Sequence, residues 1–150
     1  MRSWPPDAFA ALAVAMALLA EWMLPLRVLP DAHVLSAVSW LGVAIAGAGL
    51  ALEVAAARAL AGAGTTTRAG QAATVLVTDG PFGWSRNPFY VGLLLVLAGV
   101  VAAFSLDWGV LAVPLVWLAL DRTVVPAEEA MLHQRFPGFG DYARRVRRWV

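Results

Sequence analysis

The chain has 150 residues, 61% hydrophobic and 14% charged, with a net charge of +1 and a mean hydropathy of +0.72. A soluble domain is roughly half apolar and about a quarter charged, so this composition makes a polytopic membrane protein the default, and the near-neutral charge argues against a nucleic-acid binder. The absence of cysteine excludes disulfides, thiolate zinc sites and cysteine nucleophiles, and the length allows a single compact unit over 1–150.

Four apolar runs read as membrane helices, over about 8–26, 34–60, 88–104 and 108–125, measured against the roughly 20 apolar residues that span a bilayer. Trp4 and Trp22 bracket the first run, as interface aromatics often do. Arg2 precedes it, but no small-residue cleavage pattern follows and Glu21 interrupts its end, so it reads as an uncleaved span. The second run contains Gly42, Gly47 and Gly49. The connection over 62–80 is rich in Gly, Thr and Ala, with Thr65-Thr66-Thr67 at its centre. Long loops in compact domains are usually functional or disordered. Val75-Leu76-Val77 offers an apolar anchor, which favours an ordered lid or wall, and Thr78-Asp79-Gly80-Pro81 reads as a turn leading out of it.

Pro88 suits the first turn of the third helix, where its missing N–H costs nothing. Asn87 before it is biased out of the helical region and is a candidate N-cap. Such a helix start attracts a carboxylate or phosphate, with the charge of Arg86 beside it. Local chemistry leaves two readings open: an anion site, or a cap that meets lipid headgroups. Ser105-Leu106-Asp107 is so short a connection that the third and fourth runs should form an antiparallel hairpin. Pro114 lies inside the fourth run.

From Pro126 a C-terminal amphipathic helix is expected to about Phe136. Glu128, Leu132 and Arg135 share one face, and Glu129, His133 and Phe136 the next. Glu128 and Arg135 stand about 10 Å apart along the axis, too far for a direct salt bridge, and could address two ends of one zwitterionic ligand. Adjacent glutamates at a helix start also suit the macrodipole without any function. Pro137-Gly138-Phe139-Gly140 breaks this helix. Arg144, Arg145 and Arg147, ending in Trp149, read as an interfacial anchor drawn to anionic lipid.

Arginine placement sets the orientation. Arg2, Arg58, Arg68, Arg86, Arg122, Arg135, Arg144, Arg145, Arg147 and Arg148 fall on one side, and Arg27 alone, beside Asp31, on the other. The positive-inside rule then puts both termini and the 58–86 connection in the cytoplasm. His33 and His133 fall on opposite sides in this topology, so no two-histidine metal site is expected. Glu21 and Glu53 are the carboxylates nearest the hydrophobic zone. Intramembrane acids are functional candidates, but both stand near helix ends, where such side chains reach the interface.

The segments Ala63-Gly64-Thr65-Thr66, Leu76-Val77-Thr78-Asp79-Gly80-Pro81-Phe82 and Ser85-Arg86-Asn87-Pro88-Phe89-Tyr90-Val91-Gly92 resemble the isoprenylcysteine carboxyl methyltransferase family, which belongs with the membrane phospholipid methyltransferases. Glu128-Glu129, Leu132, Arg135-Phe136, Tyr142 and Val146-Arg147-Arg148-Trp149 resemble that family's second motif. The resemblance implies an all-α integral membrane enzyme, here with about four transmembrane helices, a C-terminal cytoplasmic helix and S-adenosylmethionine as cofactor. It implies that Thr78, Gly80, Arg86, Asn87, Pro88, Tyr90, Gly92, Glu128, Glu129 and Arg135 bind the cofactor, with Glu129 and Arg135 as the catalytic pair. Asn87 stands where the prenylcysteine branch usually has His. The implied acceptor is therefore broader: a small lipophilic or membrane-resident carboxylate, thiol or amine, or a phospholipid headgroup, in a bacterial inner membrane. Two other classes stay open, an NADPH-dependent membrane reductase of the sterol-reductase type and a non-enzymatic membrane protein that keeps the fold.

Overall fold

The computed structural model describes residues 6–24, 26, 28–29, 36–65 and 73–150. Arg2, Trp4, Arg27, Asp31, His33, Thr66, Thr67 and Arg68, on which parts of the orientation, metal and loop expectations rest, lie outside the described residues. Among the described residues every regular element is helical: α1 (Pro6–Met23), α2 (Ala37–Gly62), a 3-10 turn (Gly80–Gly83), α3 (Pro88–Ala103), α4 (Gly109–Ala119), α5 (Val125–Arg135) and α6 (Phe139–Arg145).

The expectation of four spans is met in two. α2 and the continuous helix Gly109–Arg135 are long and apolar enough to cross a membrane, by length and composition, while α1 and α3 are apolar but shorter. The 16 residues of α3 rise about 24 Å at 1.5 Å each, short of the ~30 Å hydrocarbon core. The fourth run also does not stop near 125. It continues through a π-turn (Leu120–Val124) into α5, so the C-terminal helix expected as a separate element is the far end of a span-length helix. The cause is Pro126, which has no N–H to give and whose ring crowds the carbonyl four residues back. Widening the turn relieves that crowding: the Val125 N–H reaches back to the Leu120 carbonyl, and the Thr123 hydroxyl takes the Ala119 carbonyl at 2.6 Å.

Close packing of α2 on α3 is the main joint. A Cβ on Gly42 would stand 2.6 Å from the Gly99 carbonyl oxygen, and one on Gly49 would stand 2.6 Å from that of Gly92. These positions need glycine because backbone meets backbone, the way small residues bring membrane helices together. Glu53 continues this face, with its Cγ over Gly92; its stem packs in the joint. At the other candidate acid, Glu21 Oε2 is buried with no hydrogen-bond partner among the described residues. α2 begins at Ser36, whose hydroxyl accepts the Ser39 N–H at 3.0 Å.

Leu97 of α3 lies in the core with Val116, Leu120, Val124 and Val125, and Phe9, Ala13 and Val14 of α1 close over it. The outer surface is apolar: Trp40, Leu41 and Leu50 on α2 and Leu111, Leu115 and Leu118 on α4 are all exposed. An outer surface this rich in large apolar side chains faces lipid. The α3–α4 connection turns at Ser105, which takes φ 49°, and buried Asp107 accepts the Leu29 N–H at 2.7 Å. The stems of the expected lid are tied to each other, since Thr65 Oγ1 accepts the Thr74 N–H at 2.9 Å. The turn expected at 78–81 falls one residue later, at 79–82, where the Phe82 N–H closes on the Asp79 carbonyl at 3.1 Å and opens the 3-10 turn.

Candidate functional site

The site forms where the start of α3, the helix α5 and the last residues of the chain converge. α3 begins at Pro88 as expected. Asn87 occupies the cap position without making the cap: its side chain gives no hydrogen bond to the helix start, and Nδ2 donates instead to the Arg148 carbonyl at 2.9 Å. The stretch 146–149 thus lies across the helix end for which an anion site was one of the two open readings. Ser85, fully buried, accepts the Asn87 N–H at 3.1 Å and fixes the bend before the helix.

Arg86 is consumed by the protein. Its Nε and Nη2 donate to Glu129 Oε1 at 3.0 and 2.8 Å, and Nη1 donates to the Ala143 and Val146 carbonyls, both at 2.8 Å. Its own N–H donates to the Arg147 carbonyl at 2.9 Å. One side chain therefore ties α5 to the C-terminal end of α6, where the carbonyls lack helical partners. Arg148 completes the cluster, with Nη2 on Glu129 Oε2 at 2.6 Å and Nη1 on Asp121 Oδ1 at 3.2 Å. Trp149 Nε1 donates to the same Asp121 oxygen at 2.9 Å, and its ring meets Trp117 with centroids 6.1 Å apart. The exposed Arg122 also reaches Asp121, at Oδ2 and 3.6 Å, so both carboxylates are paired, which is the condition for keeping charges partly out of water.

Tyr90 links α3 to α5 separately. Its hydroxyl donates to Glu128 Oε1 at 2.7 Å. Tyr142, buried in α6, donates to the Phe82 carbonyl at 2.8 Å and stacks edge-on to Phe139. Burial pushes its hydroxyl up to about 12, so it remains a donor at any ordinary pH.

The structure brings Arg86, Asn87, Pro88, Tyr90, Glu128 and Glu129 into one region. Gly80, with φ 58°, lines a separate cavity of about 270 Å³ with Asp79, Ala59, Gly62 and Ala63, and Thr78 precedes it. Gly92 faces α2, where a Cβ would stand 2.8 Å from the Gly49 carbonyl oxygen, so helix contact accounts for this glycine. Arg135 is exposed at the end of α5. Of the expected site's charged side chains, Glu128 and Arg135 take part in none of the ion pairs among the described residues. Asp121, Tyr142, Arg148 and Trp149 were not singled out as site residues from the sequence. For the last three the available signal was their place in the second motif; for Asp121 there was none. Arg147, expected as part of a surface anchor, contributes its carbonyl to Arg86.

No solved structure matches the chain. Over 77 residues it is 32% identical to a nickel-cobalt-cadmium resistance protein, NccN, of Alcaligenes xylosoxydans xylosoxydans. Over 78 residues it is 36% identical to a cobalt-zinc-cadmium resistance protein, CzcN, of Cupriavidus metallidurans. Each match takes in 51% of this chain and 36% of the relative, so the chain spans about a third of the length of these proteins. Residues 37–138 match the phospholipid methyltransferase family model, a stretch that runs from the start of α2 past the end of α5 and includes Arg86, Tyr90 and both glutamates, and on this match the chain belongs to the phospholipid methyltransferase family.

Proposed function

We propose that this protein transfers a methyl group from S-adenosylmethionine to a membrane-resident acceptor, a phospholipid headgroup or a small lipophilic amine, thiol or carboxylate. The observation that carries the reading is the meeting of the two motifs: Arg86 on Glu129 and Tyr90 on Glu128 join the start of α3 to α5. The donor set fits the cofactor. Its amino-acid end is a zwitterion, and α5 presents one carboxylate and one guanidinium, Glu128 and Arg135, that take part in no described ion pair. They stand about 10 Å apart on one helix face.

When bound, the cofactor would supply an electrophilic methyl on a sulfonium, open to an acceptor lone pair, with the neutral thioether as leaving group. The protein's part is placement and exclusion of water, which for such a displacement supplies much of the rate. Glu128 would hold the cationic end, with Tyr90 fixing the carboxylate, and Arg135 the anionic end; the half-buried cluster of Arg86, Glu129 and Arg148 covers the start of α3. Because α3 is shorter than the hydrocarbon core is thick, its first turn is set in from the membrane surface, within reach of a lipid headgroup. In this reading that end and both termini face the cytoplasm, the side the positive-inside rule gives to the arginine-rich segments.

Calorimetric titration of the detergent-purified protein with S-adenosylhomocysteine, with NADPH in parallel, tests the reading. Micromolar binding of the former alone is expected. Binding of NADPH alone would move the protein to the reductase class.

A further inference from the structure

We propose that Arg145 and Arg147 form a docking surface for anionic phospholipid headgroups, and that the lipid they bind holds down the strap 146–149, whose inner side covers the start of α3. The inference does not rest on the methyltransferase reading.

Arg144, Arg145, Arg147 and Arg148 have different partners. Arg148 turns inward to Glu129 and Asp121. Arg144 is held by Asp141 on the exposed side of α6. Arg145 and Arg147 are exposed, and no ion pair among the described residues reaches either. A cation at a helix end suits the macrodipole, but the Ala143 and Val146 carbonyls at this end already accept Arg86 Nη1. The backbone at Val146 is extended, with φ −115° and ψ 131°. Successive side chains of an extended chain point opposite ways, so the inward turn of Arg148 sends Arg147 outward.

Tryptophans set the depth of this surface. Trp149 meets Trp117, and Trp117 is 41% exposed on the helix whose Leu111, Leu115 and Leu118 face lipid. Further along that helix, Arg122 is exposed beside Asp121. Exposed Trp84 belongs to the segment 82–87, which runs beside the strap: Tyr142 donates to the Phe82 carbonyl, and the Arg86 N–H to the Arg147 carbonyl. Tryptophan and arginine gathered at the end of an apolar helix mark the membrane–water interface, so Arg145 and Arg147 lie at headgroup level. A zwitterionic headgroup offers them no net charge. An anionic phosphodiester offers each a full one, in the geometry that suits a guanidinium fork.

The docking surface and the cover share one backbone. The Arg147 carbonyl accepts the Arg86 N–H, and the Arg148 carbonyl accepts Asn87 Nδ2 and the Ser85 hydroxyl. Lipid held by Arg147 therefore presses these peptide groups onto the start of α3. A bilayer poor in anionic lipid leaves the strap on its inner contacts alone.

The chain has no cysteine, so Val150→Cys, at an exposed position beside Trp149, carries a single nitroxide. The labelled full chain is placed in nanodiscs of phosphatidylcholine alone, or of three parts phosphatidylcholine to one of phosphatidylglycerol. The accessibility of the label to a neutral aqueous relaxation agent is then measured. An arginine near an anionic surface is worth about fivefold, so phosphatidylglycerol is expected to lower accessibility severalfold, and high salt to reverse the fall. Arg145→Gln/Arg147→Gln should remove the difference between the two lipids. Arg147→Gln alone should remove part of it, and serves if the double variant does not fold. Arg58→Gln, an exposed arginine on α2, should respond as the wild type does. Arg148→Gln, which frees the inner side, should raise accessibility in both lipids. The proposal is overturned if the wild type is equally accessible in both, if the double variant keeps the wild-type response, or if Arg58→Gln abolishes it, which would make the effect one of bulk surface charge. An unchanged label in Arg148→Gln would equally overturn it, since the strap would then not be held as described.

Discussion

Replacing Arg86 should cost far more than removing a surface charge. Its side chain is 13% exposed and that of Glu129 16%, so the pair lies in the regime where deleting one partner strands the other, at about 3–5 kcal/mol. Arg148, 34% exposed, stays on Glu129 at 2.6 Å and prevents complete stranding, which places Arg86→Ala near the lower end, about 3 kcal/mol. The lost donors to the Ala143 and Val146 carbonyls act in the same direction, though those groups can turn to water. Arg86→Lys restores the charge but not the fork, and one ammonium cannot span a carboxylate and two carbonyls in the same geometry; it should recover only part of the loss. Reversible denaturation in mild detergent, followed by helix content, gives the two differences. A cost below about 1 kcal/mol for Arg86→Ala, the range of an exposed ion pair, or a lysine variant equal to the wild type, would refute the reasoning.

Gly49→Leu should destabilise by about 1–3 kcal/mol or more through overpacking, because its Cβ meets the Gly92 carbonyl at 2.6 Å and the Val96 nitrogen at 2.8 Å. Gly47→Leu, with nothing within 4 Å of the added Cβ, should be close to neutral in the same thermal melt, and equal effects would show that the joint is not where we place it. Burial pushes the Tyr142 hydroxyl up to about 12 in the folded protein, above the ordinary tyrosine value of 10.0. Stability is therefore fully present below pH 10 and falls as pH rises toward 12, since only the unfolded chain ionises in that window. Tyr142→Phe should flatten this part of the pH profile, and an unchanged slope would mean that the hydroxyl is not held as described.

The start of α3 was legible because Pro88 and Asn87 act through the local backbone, and so was the turn at 78–81. The apolar runs gave the helices but not which of them reach across: 88–104 reads as a span on hydropathy, and only its 16-residue extent in the structure shows it as the short, central helix. The end of the fourth run was misread because an apolar-to-polar change at 125 looks like a boundary, whereas Pro126 makes a wide turn and the helix goes on. The pairing of Arg86 with Glu129, and of Asp121 with the last residues, joins side chains from 27 to 43 positions apart. No periodicity carries such distances, so Arg144, Arg145, Arg147 and Arg148 look alike in sequence although only Arg148 is drawn inward onto two carboxylates. Asn87 was read correctly as a position and wrongly as a cap, since the chain that takes its amide arrives from the far terminus.

The widened turn at 120–124 has a consequence for how the membrane helix and the site helix relate. A regular helix locks every residue to its neighbours at a fixed 100° step, so a face chosen for lipid at one end dictates the face shown at the other. One widened turn adds a fixed offset to that phase. The face that α4 offers to the bilayer, with Leu111, Leu115 and Leu118 outward, and the face that α5 offers to Tyr90 and Arg86 therefore need not lie on one stripe of a single helix, and closing the turn to a regular one would rotate the two glutamates relative to the membrane half.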